Sequence, residues 1–143
     1  EVYGKRILDA EPAPNIFKSL LKIKDEFKLI IISHKTKYPY SGPKYNLHDA
    51  AISWLEKNYF LSSQGLNLSY EDIFFCTTKD AKLETINNSG CQYFIDDLPD
   101  ILEFVDKKIH RVLYLNKQSK PYGNYWDNVL DDWIDLDKII SNY

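Results

Sequence analysis

The sequence has 143 residues, of which 44% are hydrophobic and 15% aromatic, and its formal net charge is -3 at pH 7. This length predicts one domain, residues 1–143, with enough apolar side chains to form a core. The slight negative charge argues against binding to nucleic-acid polymers or to a membrane surface. No apolar stretch reaches the length of a membrane span. Neither Cys76 nor Cys91 belongs to a CxxC motif, so we predict reduced thiols and a cytoplasmic protein.

Helix and strand patterns alternate along the chain. Apolar residues at helical spacing predict helices at 15–27 and 47–59, and further helices are expected at 79–88 and 100–107. Short apolar runs predict buried strands at 28–33, 73–77, 92–96 and 110–115. Asn15 is the expected N-cap of the first helix. Trp126, Leu130 and Trp133 are spaced for a further helix near the C-terminus. The alternation predicts an α/β fold in which helices cover both faces of a parallel sheet.

Two adjacent acids, Asp96 and Asp97, follow the third predicted strand, and Pro99 comes two residues later. Paired carboxylates repel each other unless a cation or a proton lies between them. Mg2+ is the hard ion that suits a site made only of oxygen ligands. Alternatively, Asp97 caps the helix that Pro99 begins. The pair is therefore a candidate Mg2+ site, and the residues predicted to lie around it distinguish the two interpretations.

Two further polar residues are predicted to lie near the ends of strands. Ser33 ends the first strand, and Lys82 lies at the start of the helix that follows the second. The carboxyl ends of parallel strands share one edge of a sheet, so we expect both residues to face the same pocket as the Asp pair. Taken singly, Ser33 also fits a turn and Lys82 a solvated helix face. Together, a hydroxyl, an ammonium group and a carboxylate-held cation form a site for a phosphoryl group.

With these residues the chain resembles the haloacid dehalogenase (HAD) superfamily. The segment KLIIISHKT looks like that family's second motif, with Ser33 in the phosphate-binding position. The segment KDAKLETI resembles the third motif, with Lys82 as the preferred lysine and Lys79 as the reserve. The segment YFIDDLPD is similar to the fourth, with Asp97 as the direct Mg2+ ligand and Asp96 as its partner. The resemblance begins at about Glu11 and covers nearly all of the rest.

The resemblance implies a three-layer, Rossmann-like domain with Mg2+-dependent phosphatase activity toward a small phosphorylated substrate. The family's first motif, DxDx(T/V), supplies the nucleophilic Asp and the Asp acid/base. Asp9 is the candidate upstream, but the apolar run before it is too short for a central strand. Residues 1–8 look more like the flap hairpin that follows the first motif. We therefore expect the natural protein to have a further strand before Glu1, and the 143-residue chain alone to be inactive.

The loop that follows Ser33 is basic and aromatic, and no acid occurs in it before Asp49. His34 and Lys35 adjoin the second motif and are candidate substrate contacts. Such a loop suits a phosphate together with a ring on which its tyrosines stack. Alternatively, the loop is solvated and its tyrosines pack on the domain.

Two functions from other classes compete with the phosphatase. One is a catalytically inactive HAD-like module that binds a phosphorylated ligand or a protein. The other is a receiver-like signalling domain, which also carries acids, a hydroxyl and a lysine at strand ends. In receivers the acidic pair comes first and the lysine last, whereas here Lys82 precedes Asp96 and Asp97. The order of the residues therefore disfavours the receiver.

Overall fold

A computed structural model describes residues 12–35, 46–116 and 121–141. The predicted flap hairpin, Asp9 and residues 36–45 of the basic loop lie outside the described residues. The helices are α1 (Ile16–Ile23), α2 (Leu47–Lys57), α3 (Lys79–Asn88), α4 (Pro99–Leu102) and α5 (Leu136–Ser141). The strands are β1 (Ile31–His34), β2 (Ile73–Cys76), β3 (Tyr93–Asp96), β4 (His110–Tyr114) and β5 (Asn128–Leu130). Short 3-10 turns at Tyr70–Asp72 and Trp133–Asp135 precede β2 and α5.

The strands are parallel and form two small open sheets. In the first sheet β1 pairs with β2, and in the second β4 lies between β3 and β5. The paired residues run from Ile31 opposite Ile73 in the first sheet and from Tyr93 opposite His110 in the second. The predicted α/β class and parallel strands are therefore confirmed. The described residues form two sheets, however, where the sequence predicted one continuous sheet.

Helices cover both faces of the second sheet, as the alternation along β3 shows. Phe94 packs against a cluster that includes Ile86 of α3 and Ile101 of α4. The next residue, Ile95, packs against a different cluster, in which Leu136 of α5 is buried. Successive side chains of a strand point to opposite faces, so α4 lies on one face and α5 on the other, whereas α3 packs mainly on β1 and β2 of the first sheet. A strand covered on both faces accounts for the continuous apolar run in the sequence.

One apolar cluster joins the two sheets. Ile32 of β1 and Cys76 of β2 are buried in the same cluster as Ile86 and Ile101, and Phe94 of β3 packs against it. The two sheets therefore share a core although their strands belong to separate hydrogen-bonded ladders. Cys76 and Cys91 are both free thiols.

The predicted C-terminal helix through Trp126, Leu130 and Trp133 is wrong. Leu130 ends strand β5, which pairs with β4 in the register Leu113 opposite Val129. Trp133 begins a 3-10 turn, and α5 starts only at Leu136. The helical spacing of the apolar residues was misleading because pairing with a neighbouring strand, which is a tertiary contact, decides the structure of so short a segment.

Two predicted helix boundaries also need correction. Asn15 precedes α1, but its backbone is left-handed (φ 66°) and its side chain does not cap the helix. Its Nδ2 donates instead to Asp132 Oδ1 at 3.1 Å, which ties α1 to the turn before α5. The helix predicted at 100–107 covers only Pro99–Leu102. Beyond it, Asn87 of α3 bonds the following backbone, donating to the Phe104 carbonyl and accepting from the Asp106 N–H.

None of the helices in the described residues has the length and apolar character that crossing a bilayer requires.

Candidate functional site

Lys82 is placed by the first turn of α3. Thr78 caps this helix, with its Oγ1 accepting a hydrogen bond from the Ala81 N–H at 3.0 Å. The Lys82 side chain is then directed into the domain, where Nζ lies 2.7 Å from Asp96 Oδ2. Both side chains are only 7% exposed. Charged groups are almost never buried so deeply unless they are paired, so this contact defines the position of both residues.

Asp96 is the last residue of β3, and both of its carboxylate oxygens are bonded. Oδ2 accepts from Lys82, and Oδ1 accepts from the Leu98 N–H at 2.9 Å. The second bond fixes the turn that leads from β3 into Pro99 and α4. Leu98 stands at the N-cap of α4, which has no side-chain cap. The alternative that Asp97 caps this helix is therefore wrong.

Asp97 is exposed at the mouth of the same region. Its pKa is raised, first because its carboxyl group loses part of its hydration and second because the negative charge of Asp96 lies beside it. A hydrogen bond between the two side chains raises it further, whereas the Asp97 backbone N–H and the charge of Lys82 act in the opposite direction. The net effect is a carboxylate that favours a nearby proton or cation more than an ordinary surface Asp does.

A cavity of about 380 Å³ brings the predicted residues together. Ser33 and His34 line it from the carboxyl end of β1, Lys82 from α3, and Asp96 and Asp97 from the end of β3. His34 is exposed, and its Nε2 donates to the Thr77 carbonyl at 3.2 Å, at the end of the neighbouring strand β2. Residues far apart in the sequence therefore meet at one edge of the two sheets, as the parallel-strand rule predicts.

The structure places Lys35 differently from the other candidates, because it is not among the described residues that line this cavity. Its side chain is half-buried, and burial lowers its pKa. Its backbone is held on both sides. The N–H donates to the Cys76 carbonyl at 2.8 Å, and the carbonyl accepts from His48 Nε2, also at 2.8 Å. The His48 ring stacks on Phe75, with centroids 4.9 Å apart. His48 thus fixes the turn after Ser33.

Lys79, the reserve lysine of the third motif, has a different environment from Lys82. Its Nζ lies 5.1 Å from the centre of the Phe104 ring, in the segment after α4. The cation–π contact accounts for its position. Lys82 is therefore the lysine that reaches Asp96.

Sequence reasoning missed part of the cavity wall, which consists of Ile95, Leu98, Tyr114 and Trp133. Tyr114 ends β4, so the strand-end rule that selected Ser33 and Asp96 would have found it too. Trp133 was missed because a helix was predicted over the segment in which β5 and the following turn lie. The two rings contact each other, with centroids 5.4 Å apart.

The donor set of the site consists of hard oxygen ligands, which suits Mg2+ rather than a soft metal. Among the described residues, no three His, Cys, Asp or Glu side chains cluster closely enough to hold a metal ion by themselves. Asp97 is the carboxylate that fits direct coordination, since both oxygens of Asp96 already have partners.

Comparison of the sequence with protein-family models gives no match, and a search of curated proteins gives none either.

Proposed function

We propose that the chain is part of a HAD-like, Mg2+-dependent phosphatase that removes the phosphoryl group from a small phosphorylated substrate. The observation that carries this proposal is the buried 2.7 Å contact between Lys82 and Asp96 at a cavity that Ser33 and Asp97 also line. Charge neutralisation and orientation are what phosphoryl transfer requires of a protein. An ammonium group, a hydroxyl and two carboxylates at one sheet edge supply both.

The division into two sheets supports a further strand between β1 and β3. β1 pairs with β2 and β3 pairs with β4, and the described residues supply no strand on the other side of either. Both strands nevertheless end at one cavity, through Ser33 and Asp96. Open strand edges inside a domain leave backbone groups without partners. We infer that a strand outside the described residues occupies this place, and the proposed phosphatase needs such a strand, expected before Glu1, to provide the nucleophilic Asp.

In the proposed reaction, an oxygen of that Asp attacks phosphorus, the substrate's oxygen leaves, and an aspartyl-phosphate forms that water then hydrolyses. Lys82 offsets the negative charge of the phosphoryl group and the nucleophile. Its ammonium group has three donors, so it can bind Asp96 and still donate to a phosphoryl oxygen. The Ser33 hydroxyl donates to another phosphoryl oxygen and orients it.

Mg2+ would be held by Asp97, with Asp96 as the adjacent negative charge. The raised pKa of Asp97 and its exposed position at the cavity mouth fit this role. When bound, the ion would neutralise charge on the phosphoryl oxygens. Mg2+ requires octahedral coordination by oxygen, so water, the substrate and the further segment have to complete its ligands.

A second candidate is an inactive HAD-like module that only binds a phosphorylated ligand or protein. Both oxygens of Asp96 are held, by Lys82 and by the Leu98 N–H, so the phosphatase depends on a nucleophile from another segment. A binding module has no such requirement. Ser33 and Lys82 would still suffice to hold a phosphate.

Phosphate release from a general aryl phosphate separates these candidates. We expect the 143-residue chain to be inactive and a version extended at its N-terminus by the natural upstream residues to be active with Mg2+. Lys82→Met in the extended protein should abolish turnover, whereas Lys79→Met should leave most of it. Equal activity of the short and extended chains would refute the assigned place of the nucleophile. Phosphate binding without turnover in the extended protein would support the binding module instead.

A further inference from the structure

The cavity at the ends of β1 and β3 has two chemically different halves. Ser33, Lys82 and the Asp pair make one half polar and charged. The other half is formed by Ile95, Leu98, Tyr114 and Trp133. Leu98 is 51% exposed, so a large apolar residue lies at the rim rather than in the core. Sites for small molecules commonly combine a largely apolar wall with a few polar groups that fix the orientation of the ligand.

The indole of Trp133 offers ring carbon rather than a hydrogen-bond donor to this cavity. Its Nε1 is buried and has no hydrogen-bond partner among the described residues. An atom without contact to solvent does not face an opening that admits water. The part of Trp133 that lines the cavity is therefore apolar ring surface. The neighbouring Tyr114 ring, inclined at 39° to the indole, extends that surface.

The aromatic half remains accessible if a further strand lies between β1 and β3. Tyr114 ends β4, which pairs with β3, and the proposed strand would lie on the other side of β3. Trp133 follows β5, one strand farther away. The inserted strand would therefore narrow the cavity near Ser33 and Ile95 without separating the two rings from the Asp pair. A volume of about 380 Å³ lies within the usual range for a small-molecule site before this narrowing.

We propose that Tyr114 and Trp133 form a binding surface for a planar ring in the leaving group of the substrate. This inference rests on the proposed function, since the phosphoryl group of the same substrate would lie against Ser33 and Lys82. The substrate class is then a phosphate monoester that carries an unsaturated ring, such as an aryl group or a base, close to its phosphorus. Stacking on Tyr or Trp contributes binding energy without requiring a hydrogen bond, which matches a wall whose buried N–H is turned away.

The test uses calorimetric titration with phosphonates, whose carbon–phosphorus bond this chemistry does not cleave. Phenylphosphonate and methylphosphonate differ only in the ring, and inorganic phosphate reports on the phosphoryl site alone. We expect the N-terminally extended protein, with Mg2+, to bind phenylphosphonate roughly tenfold more tightly than methylphosphonate. Tyr114→Leu and Trp133→Leu should reduce this preference to about threefold or less and leave the affinity for inorganic phosphate unchanged. Trp133→Phe, which retains a ring, should keep most of the preference for phenylphosphonate.

The outcomes separate this inference from the proposed function. If both phosphonates bind equally well while inorganic phosphate binds, the ring surface is wrong and the phosphoryl site stands. If neither the phosphonates nor phosphate bind, the proposed function fails and this inference fails with it. Trp133 also packs against the cluster around Leu136, so Trp133→Leu is compared only after its melting curve shows a folded protein. The wild-type preference and Tyr114→Leu decide the question if that variant does not fold.

Discussion

Lys82 Nζ and Asp96 Oδ2 lie 2.7 Å apart, and each side chain is only 7% exposed. The bond joins α3, which packs on β1 and β2, to the end of β3 in the other sheet. Removing two charges from water is costly, and an apolar pair of similar size often gives equal or greater stability. We therefore infer that the pair serves the site rather than the stability of the fold. It fixes an ammonium group at the edge of the sheets.

Breaking this pair should be strongly destabilising. Asp96→Ala leaves the Lys82 ammonium buried without a partner, and we expect a loss of about 3–5 kcal/mol in the free energy of unfolding. The double variant Lys82→Met with Asp96→Leu should lose much less than the sum of the single changes, because no buried charge remains. Urea unfolding measures both values.

The exposed pair Lys138–Asp135 provides the control for this prediction, since its side chains are 76% and 43% exposed. Asp135→Ala should change the free energy of unfolding by about 1 kcal/mol or less. Equal losses from Asp96→Ala and Asp135→Ala would contradict the view that burial of the pair sets its importance.

Asp97 should make stability depend on pH in metal-free buffer. Its pKa is raised in the folded protein by partial burial and by Asp96. The folded state therefore binds more protons than the unfolded state, and stability falls as pH rises from the ordinary Asp pKa of about 3.9 through the raised value. Asp97→Asn removes the ionisation. We expect this variant to melt at a higher temperature than the wild type at pH 7 and to lose that advantage below about pH 3.5.

Melting curves at several pH values, recorded with a chelator, test this expectation. Asp131→Asn removes one exposed carboxylate elsewhere and controls for the change in net charge. Adding Mg2+ should raise the melting temperature of the wild type at pH 7 but not that of Asp97→Asn. A Mg2+ effect of the same size in both proteins would show that Asp97 is not the ligand.

The cap of α3 should matter for ligand binding as well as for stability. Thr78→Ala removes the hydrogen bond that Oγ1 accepts from the Ala81 N–H, one turn from Lys82, and should cost about 1 kcal/mol in the free energy of unfolding. Asn46 makes the equivalent bond to the Asp49 N–H at the start of α2, also at 3.0 Å. Asn46→Ala should therefore have a similar cost in urea unfolding. We expect only Thr78→Ala to weaken phosphate binding, measured by calorimetry, and equal effects of the two variants on that affinity would refute the link.

His48 should act on the site through the backbone of Lys35. His48→Phe keeps a ring that can stack on Phe75 but removes the bond to the Lys35 carbonyl. We expect a loss of about 1 kcal/mol in stability and weaker phosphate binding, because the turn after Ser33 is less firmly held. His48→Gln retains a donor and should recover part of the affinity. If His48→Phe binds phosphate like the wild type, the turn does not depend on this bond.

Helix α3 and the Asp pair show which features of the structure can be predicted from local sequence patterns. The start of α3 follows from Thr78 as its cap, which is a local property. The convergence of Ser33, Lys82 and Asp96 could be predicted because the carboxyl ends of parallel strands share an edge. The C-terminal segment could not be predicted in this way. The three residues of β5 acquire their structure by pairing with β4, a contact that the spacing of apolar residues does not encode.

The sequence by itself therefore determined the α/β alternation, the parallel strands and the set of polar residues at their ends. The alternation of buried and exposed residues in a short strand, and the capping of a helix, depend on residues that are close in the sequence. Only the tertiary structure decided that Asp96 binds Lys82 while Asp97 stays at the cavity mouth, and that Tyr114 and Trp133 complete the wall. Two adjacent acids are equivalent in a sequence, and they become different only when the pleat of β3 and the packing of α3 assign each side chain a direction.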